Sequence, residues 1–247
     1  MCRFLRCEKP HLGPGLTEVL SILVATAALS DLLAVLVRPH VQGTPYGVLT
    51  SWASHGPQLL IPWVWYRLRV VPAVNRQGRA TAPPAAGKWR RSRSFWILLF
   101  VLGGSKFMGE AATSWGEPRP LWASAGILPI VLVLLFQGVM VGFSEEMMFR
   151  PALHLPLRFL VPGQVRAGGL VLSRAMLLTA LLFGLFHGSN VLLGASLPAV
   201  VAQSVAATLV GMILGSYYDR TGDYAGVAML HNALDGGSYL ALLVVTR

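Results

Sequence analysis

The chain contains repeated apolar runs, each close to the roughly 20 residues that an α-helix needs to cross a bilayer. Only 12% of its residues are charged, against about 25% in a typical soluble domain. Because so few charges cannot cover a water-facing surface, the sequence predicts an all-α fold, a polytopic transmembrane helical bundle of about seven helices. The predicted helices lie near residues 16–37, 45–66, 94–109, 121–146, 175–195, 197–218 and 224–244. Pro57 and Pro62 predict that the second helix is kinked or partly re-entrant.

The basic residues lie in the loops between the apolar runs. The stretch 67–93 carries eight Lys and Arg residues and no acid, and 150–174 is also basic, whereas 109–120 contains Glu110 and Glu117. Loops rich in Lys and Arg stay in the cytoplasm, so we predict a multi-pass protein of the plasma membrane with a cytoplasmic N-terminus. This distribution does not suit nucleic-acid binding. The predicted partners are the lipid bilayer and a membrane-associated peptide or protein substrate, with no nucleic acid. Cys2 and Cys7 are predicted to be free thiols on the cytoplasmic side.

Two adjacent acids and an arginine close the fourth apolar run. Glu146 and Arg150 are four residues apart, so they share a helix face and can form an ion pair. Glu145 is rotated by about 100° from Glu146 on a helix, so it can point into the bundle as a free base. Placement of both glutamates in the headgroup layer, as ordinary helix-end residues, remains an alternative.

Two later apolar runs each carry one histidine. His187 shares a helix face with Phe183, and Gly184 between them allows a neighbouring backbone to approach closely. His231 shares a face with Asp235, and a carboxylate beside an imidazole fixes its tautomer. A core histidine and a structural His–Asp pair are the alternative interpretations of these motifs.

Taken together, the polar residues of these three helices predict one shared site. Ionisable groups at membrane depth are costly, and Glu145, His187, His231 and Asp235 would supply one another with polar contacts if they converged. A glutamate that accepts a proton from water, with imidazoles to hold that water and stabilise an oxyanion, suits amide hydrolysis.

The remaining polar residues are predicted to have lesser roles. Asp219, Arg220 and Asp223 are predicted to be solvated in a short loop, and no partner can be named for Asn232. Asp31 is expected near the outer end of the first helix, facing water. Nothing in the sequence distinguishes the other histidines, which are His11, His40, His55 and His154.

The three motifs together resemble a known family. Glu-Glu-x-x-x-Arg at 145–150, Phe-x-x-x-His at 183–187 and His-x-x-x-Asp at 231–235 occur in the order typical of the CPBP family. These are the CAAX protease and bacteriocin-processing intramembrane peptidases, which include the eukaryotic type II CAAX prenyl endopeptidase. The resemblance covers roughly residues 121–244. It divides the chain into N-terminal membrane helices, 1–120, with a basic cytoplasmic loop at 67–93, and a CPBP-like catalytic helical bundle, 121–247.

The resemblance implies an intramembrane endopeptidase whose cavity opens towards the cytosol. Glu145 and His187 would activate water, and His231 and Asp235 would stabilise the oxyanion. Glu146, Arg150 and Phe183 would support the site. The family often has Asn at the last position, and an ionised Asp235 would repel an oxyanion unless it is protonated, turned to orient His231, or replaced in this role by another donor.

Metal dependence and substrate remain open at this stage. No cofactor is favoured, but if zinc binds, the resemblance implies Glu145, His187 and His231 as its ligands. High Ala, Gly and Arg content indicates a GC-rich bacterial genome, in which prenylated substrates are not expected. Two other functions remain: a non-catalytic protein of the same fold, acting as an immunity or partner-binding protein, and a small proton-coupled transporter.

Overall fold

The structure is a computed structural model that describes residues 14–76, 90 and 92–247. Cys2, Cys7 and His11 lie outside the described residues, as does most of the predicted basic loop at 67–93. The α-helices are α1 (Leu16–Val41), α2 (Val48–Trp65), α3 (Val71–Arg76), α4 (Arg93–Ser114), α5 (Leu121–Ser124), α6 (Ile127–Leu135), α7 (Val141–Met147), α8 (Leu155–Leu160), α9 (Arg174–Phe186), α10 (Leu197–Thr221) and α11 (Tyr224–Val245). The prediction of an all-α helical bundle is confirmed.

Five helices in the described part of the chain are long and apolar enough to cross a membrane. They are α1, α4, the continuous helix Ile127–Leu160, α10 and α11. The other two predicted spans, α2 and α9, do not meet this criterion, and α9 has only 13 residues. These spans support a multi-pass membrane protein. Its location in the plasma membrane and the cytoplasmic N-terminus stay predictions.

The helix that carries the two adjacent glutamates differs from the prediction at both ends. A break at Gly126, where φ is 105°, separates α5 from α6, so the predicted helix 121–146 starts later. It then continues through the π-helical segments Phe136–Met140 and Met148–His154 and ends at Leu160. The predicted loop from residue 150 is therefore wrong. A π-helical turn carries the chain past Pro151, which lacks the N–H that an α-helix would use.

Both predicted basic loops contain regular structure. The first residues of 67–93 continue α2 as a π-helical segment, Tyr66–Val70, followed by α3. The second loop contains a two-stranded antiparallel hairpin, β1 (Gln164–Ala167) and β2 (Leu170–Ser173). Gly168 and Gly169 form its turn with φ of 54° and 79°. Positive φ at both central residues is the geometry that a two-residue hairpin turn favours.

The bundle has two chemically different ends. At one end α8 and α10 finish and α4, α9 and α11 begin; this is termed the basic end. His154 Nε2 lies 2.8 Å from Asp219 Oδ1 there, and Arg90 Nε lies 2.8 Å from Asp223 Oδ2. Asp223 is buried and caps α11 by accepting from Gly226 N–H. The prediction that Asp219 and Asp223 are merely solvated is therefore wrong, because both hold neighbouring elements together.

At the opposite end α1, α4 and α11 finish and α2, α6 and α10 begin. The backbone N–H of Gly116 donates to Val245 O at 3.1 Å, and that of Arg119 donates to Arg247 O at 2.8 Å. A Cβ added at Gly194, between α9 and α10, would lie 3.2 Å from the Arg38 guanidinium at the end of α1. These contacts place the α9–α10 connection beside the end of α1.

Gly184 allows α9 and α10 to pack closely, as the sequence predicts. A Cβ at this position would collide with Thr208 Oγ1 and the carbonyl oxygen of Ser204. We expect Gly184→Ala to destabilise the protein by about 1–3 kcal/mol, because overpacking forces the two helices apart. Thermal denaturation in detergent would measure this effect. Gly188→Ala is the matched control, since a Cβ there would meet no atom within 4 Å, and equal denaturation temperatures would contradict the prediction.

Candidate active site

A polar cavity of about 380 Å³ lies inside the bundle. Its lining includes Glu145, His187, His231 and Asp235, so the structure brings all four predicted site residues to one space. The lining also includes residues outside the predicted motifs, among them Asp31, Ser51, Ser54, His55, Gln58, Lys106, Gln137, Ser189, Asn190, Gln203 and Tyr239. Asp31 therefore faces this cavity. The catalytic roles of the four predicted residues stay predictions.

The two carboxylate oxygens of Glu145 have different surroundings. Glu145 is 7% exposed. Its Oε1 lies 3.1 Å from His55 Nε2. Its Oε2 is buried and has no hydrogen-bond partner among the described residues, with His231 Nε2 at 3.7 Å. A buried carboxylate oxygen without a partner is costly, so Oε2 is the atom that would accept a hydrogen bond from a water molecule in the cavity.

His55 on α2 is the residue that the sequence analysis missed. Its Nδ1 lies 2.9 Å from the carbonyl oxygen of Ser51 and 3.0 Å from Ser54 Oγ, and its ring meets Phe136 edge-on at 4.9 Å. Because a carbonyl oxygen can only accept, Nδ1 carries a proton. This fixes the ring with Nε2 directed at Glu145.

His231 lies between two carboxylates. Its Nδ1 is 2.8 Å from Glu146 Oε1, and its Nε2 is 3.2 Å from Asp235 Oδ2. Glu146 Oε2 in turn accepts from Arg150 Nε at 2.6 Å, and the side chains of both residues are fully buried. The four residues form one chain of charge-assisted hydrogen bonds. The sequence left Asp235 protonated, turned to orient His231, or replaced by another donor. The geometry shows Asp235 turned towards His231.

His187 lies where α9 changes into the 3₁₀ segment His187–Val191. Its Nδ1 donates to the carbonyl oxygen of Phe183 at 2.8 Å. The Phe183 ring contacts both imidazoles edge-on, with centroid distances of 5.0 Å to His187 and 5.7 Å to His231. Phe183 therefore separates the two histidines and holds both rings at the cavity wall.

Asn232 has partners that the sequence did not reveal. Its Oδ1 accepts from Gly142 N–H at 2.7 Å, and its Nδ2 donates to Val139 O at 3.0 Å. A Cβ at Gly142 would collide with the backbone of Ala228. These contacts join α11, which carries His231, directly to the helix that carries Glu145. They therefore set the distance between these two residues.

The arrangement does not fit a zinc site. Among the described residues, no group of three or more His, Cys, Asp or Glu side chains is placed to hold a metal ion. Of the three zinc ligands that the resemblance implies, His231 has each of its ring nitrogens paired with a carboxylate. Its Nε2 lies 3.2 Å from Asp235 Oδ2, nearer than the 3.7 Å to Glu145 Oε2, so the nitrogen that a metal ion would need is already paired with a carboxylate.

This fold and site define the class of the protein. It is a polytopic helical membrane protein with buried carboxylates and imidazoles around an internal cavity. Residues 127–237 match the family model described as type II CAAX prenyl endopeptidase Rce1-like. This match covers less than half of the chain, and it supports the assignment of these residues to the CPBP (CAAX protease) family, a family of CAAX-type intramembrane proteases. The match contains all three motifs and excludes α1–α5, and with them His55. No curated protein and no solved structure shows significant similarity to the chain.

Proposed function

We propose that the chain is an intramembrane endopeptidase that hydrolyses peptide bonds of membrane-associated peptides or proteins. The proposal depends on the surroundings of the Glu145 carboxylate. One of its oxygens is held by His55, and the other is buried, without a partner, beside the cavity. A carboxylate arranged in this way can act as a general base towards a water molecule.

In the proposed reaction Glu145 Oε2 takes a proton from water, and the water oxygen forms a bond to the carbonyl carbon of the scissile peptide. His187 holds the water on the other side. Negative charge then develops on the carbonyl oxygen, which an N–H of His231 stabilises. Glu145 returns the proton to the peptide nitrogen as the C–N bond breaks, so a carboxylic acid and an amine leave the site.

His231 is oriented for this role by residues that do not touch the substrate. Glu146 accepts from its Nδ1, and Arg150 neutralises Glu146. Asp235 accepts from Nε2 in the absence of substrate. An ionised Asp235 cannot donate to an oxyanion, so we propose that it positions His231 and gives way when the carbonyl oxygen of the substrate enters.

His55 is a positioning residue in this proposal, because it acts through Glu145. Gln at position 55 can place an amide N–H where Nε2 lies, whereas Asn is too short to reach Glu145. We expect His55→Gln to keep most of the activity and His55→Asn to lose on the order of 100-fold in kcat, with KM nearly unchanged, because the base is misplaced.

Steady-state kinetics of the two variants would test this role. His40→Gln, an exposed histidine near the end of α1, controls for the substitution itself. Denaturation temperatures of both position-55 variants should agree with each other. Equal kcat values for His55→Gln and His55→Asn would contradict the proposal that His55 positions Glu145.

The proposed function is tested with the purified full-length chain in detergent. The probes are a mixture-based peptide library and a farnesylated peptide that ends in a Cys-aliphatic-aliphatic-X motif. Cleavage is compared with that of Glu145→Gln and in the presence of 1,10-phenanthroline. We expect cleavage that depends on Glu145 and persists with the chelator. Failure of the wild type to cleave either probe, or equal cleavage by the Glu145 variant, would contradict the proposal.

One observation favours a second candidate, a non-catalytic partner-binding or immunity protein. Asp235 occupies the ring nitrogen of His231 that would otherwise face an oxyanion. In this case Glu145→Gln would rescue the phenotype of a gene deletion as fully as the wild type. Failure of that rescue at normal protein levels supports the endopeptidase.

A further inference from the structure

A second cavity lies at the basic end, outside the candidate active site. Its volume is about 460 Å³, and it lies between the start of α4, the last turns of α10 and the hairpin strand β2. We propose that this cavity binds a phospholipid with an anionic headgroup, with an acyl chain in its apolar part and the headgroup at Arg220. The proposal does not depend on any enzymatic activity of the chain.

The lining of the cavity changes from polar to apolar along the bundle. The outer part contains Ser94, in the first turn of α4, and Arg220, in the last turn of α10. Leu98 and Met212 line the inner part, one turn further along α4 and two turns back along α10. At a rise of 1.5 Å per residue, Met212 lies about 12 Å deeper than Arg220. This lining suits a molecule with a charged head and an apolar tail.

The polar residues of α4 and α10 lie at the same depth. Phe95 on α4 is buried, and its ring centroid lies 6.0 Å from that of Tyr217 on α10. Ser94 directly precedes Phe95, and Arg220 follows Tyr217 by less than one turn. Because α4 and α10 are both long and apolar enough to cross a membrane, their shared end is expected at the membrane surface. A lipid headgroup lies at the same level.

Strand β2 covers one side of the cavity with apolar side chains. Leu170 and Leu172 both line it, since side chains two residues apart share one face of a strand. Leu170 and Ile213 on α10 remain 57% and 46% exposed. Exposed apolar side chains around a concave space mark a surface that an apolar partner covers. Within the bilayer that partner is an acyl chain.

The positive charge of Arg220 is not compensated within the described part of the chain. Arg220 is exposed and forms no ion pair there. Basic pockets between membrane helices bind anionic lipid headgroups, so a phosphate with a net negative charge complements this guanidinium. The acids that the structure describes at this end have other partners: Glu18 pairs with Arg69, Asp219 with His154, and Asp223 with Arg90.

Native mass spectrometry of the purified full-length chain tests the proposal. The probes are phosphatidylglycerol and phosphatidylcholine with identical acyl chains, which differ in the net charge of the headgroup. We expect the wild type to bind phosphatidylglycerol about fivefold more tightly, the contribution of one arginine near a membrane surface. Arg220→Gln should abolish this preference. Its denaturation temperature should equal that of the wild type, because Arg220 is exposed and unpaired among the described residues.

Arg166→Gln is the matched control at the same end of the bundle. Arg166 is exposed and lies opposite Val171 in the hairpin, so its side chain is on the other face from Leu170 and Leu172. This variant should keep the preference for phosphatidylglycerol. Equal binding of the two lipids by the wild type, or a preference that persists in Arg220→Gln, would overturn the proposal. An equal loss in Arg166→Gln would indicate general attraction to a basic surface and would also overturn it.

A second variant tests whether the acyl chain occupies the cavity. Ile213→Trp places an indole ring in the space and should abolish phosphatidylglycerol binding. Val205→Trp is its control, because Val205 lies on the same helix, is 58% exposed and is not part of the cavity lining. Excess glycerol phosphate, which carries the anion without the tails, should not displace the lipid. Unchanged binding by Ile213→Trp, or displacement by glycerol phosphate, would contradict a lipid site in this cavity.

Discussion

Glu145→Gln is expected to lower kcat by about 100- to 10,000-fold, the usual contribution of a positioned general base. Gln has nearly the same shape and can still form a hydrogen bond with His55 Nε2, but it cannot take a proton from water. The protein should fold normally, because the substitution removes a buried charge and leaves no cavity. Initial rates of peptide cleavage, measured beside the denaturation temperature, check both parts of the prediction.

Glu117→Gln is the control for this substitution, because Glu117 is exposed in the connection between α4 and α5. It should cleave like the wild type. Residual activity of Glu145→Gln within about tenfold of the wild type would be less than a general base contributes and would assign the base to another residue. A large loss accompanied by a lower denaturation temperature would point to a structural role.

Arg150→Met is expected to have the largest effect on stability. Arg150 and Glu146 are fully buried and paired at 2.6 Å, and Arg150 Nη2 also donates to Gly211 O at 3.4 Å. Removing one partner of a buried ion pair costs about 3–5 kcal/mol, because the other charge is left uncompensated. We expect a large fall in denaturation temperature in detergent and a low yield of folded protein.

Two further variants separate loss of the charge pair from loss of packing. Glu146→Gln combined with Arg150→Met should recover much of the stability, because no unpaired charge remains. Arg158→Met should cost less than about 1 kcal/mol, since Arg158 is partly exposed and lies 3.9 Å from Asp219. If Arg150→Met were as mild as Arg158→Met, the buried pair would contribute little to the fold.

The helical architecture and the convergence of the motif residues could be predicted from the sequence. Apolar length predicts membrane helices because the bilayer has a fixed thickness. Glu145, His231 and Asp235 could be expected to meet because isolated ionisable groups are costly in lipid. The pairs Glu146–Arg150 and His231–Asp235 follow directly from a spacing of four on a helix.

His55 could not be predicted in this way. It lies on α2, outside the motifs, and its partner Glu145 follows 90 residues later in the chain. No local spacing links two residues so far apart, because their contact depends on how α2 packs against α7. The one available signal was a histidine directly after Ser54 in a mostly apolar helix that contains two prolines.

The basic end was predicted least well. The fourth helix was predicted to end near residue 146 and to be followed by a basic loop, yet a π-helical turn carries the chain past Pro151 and the helix continues to Leu160. The Gly168-Gly169 pair between two short runs that each contain valine was a usable hairpin signal that the prediction of a loop overlooked. The contact between His154 and Asp219 joins residues from different helices and needs the folded structure to be seen.

The continuous helix Ile127–Leu160 has a consequence for the membrane as an electrical barrier. Its 34 residues extend about 50 Å at a helical rise of 1.5 Å per residue, more than the roughly 30 Å of the hydrocarbon core. Counted from Ile127, Glu145 lies just beyond the midpoint of this helix. A water-accessible cavity that contains Glu145 therefore extends through much of the hydrocarbon core. The barrier to proton and ion leak then lies between Glu145 and the end of the helix at Leu160, where the side chains of Met148, Phe149 and Leu153 are fully buried.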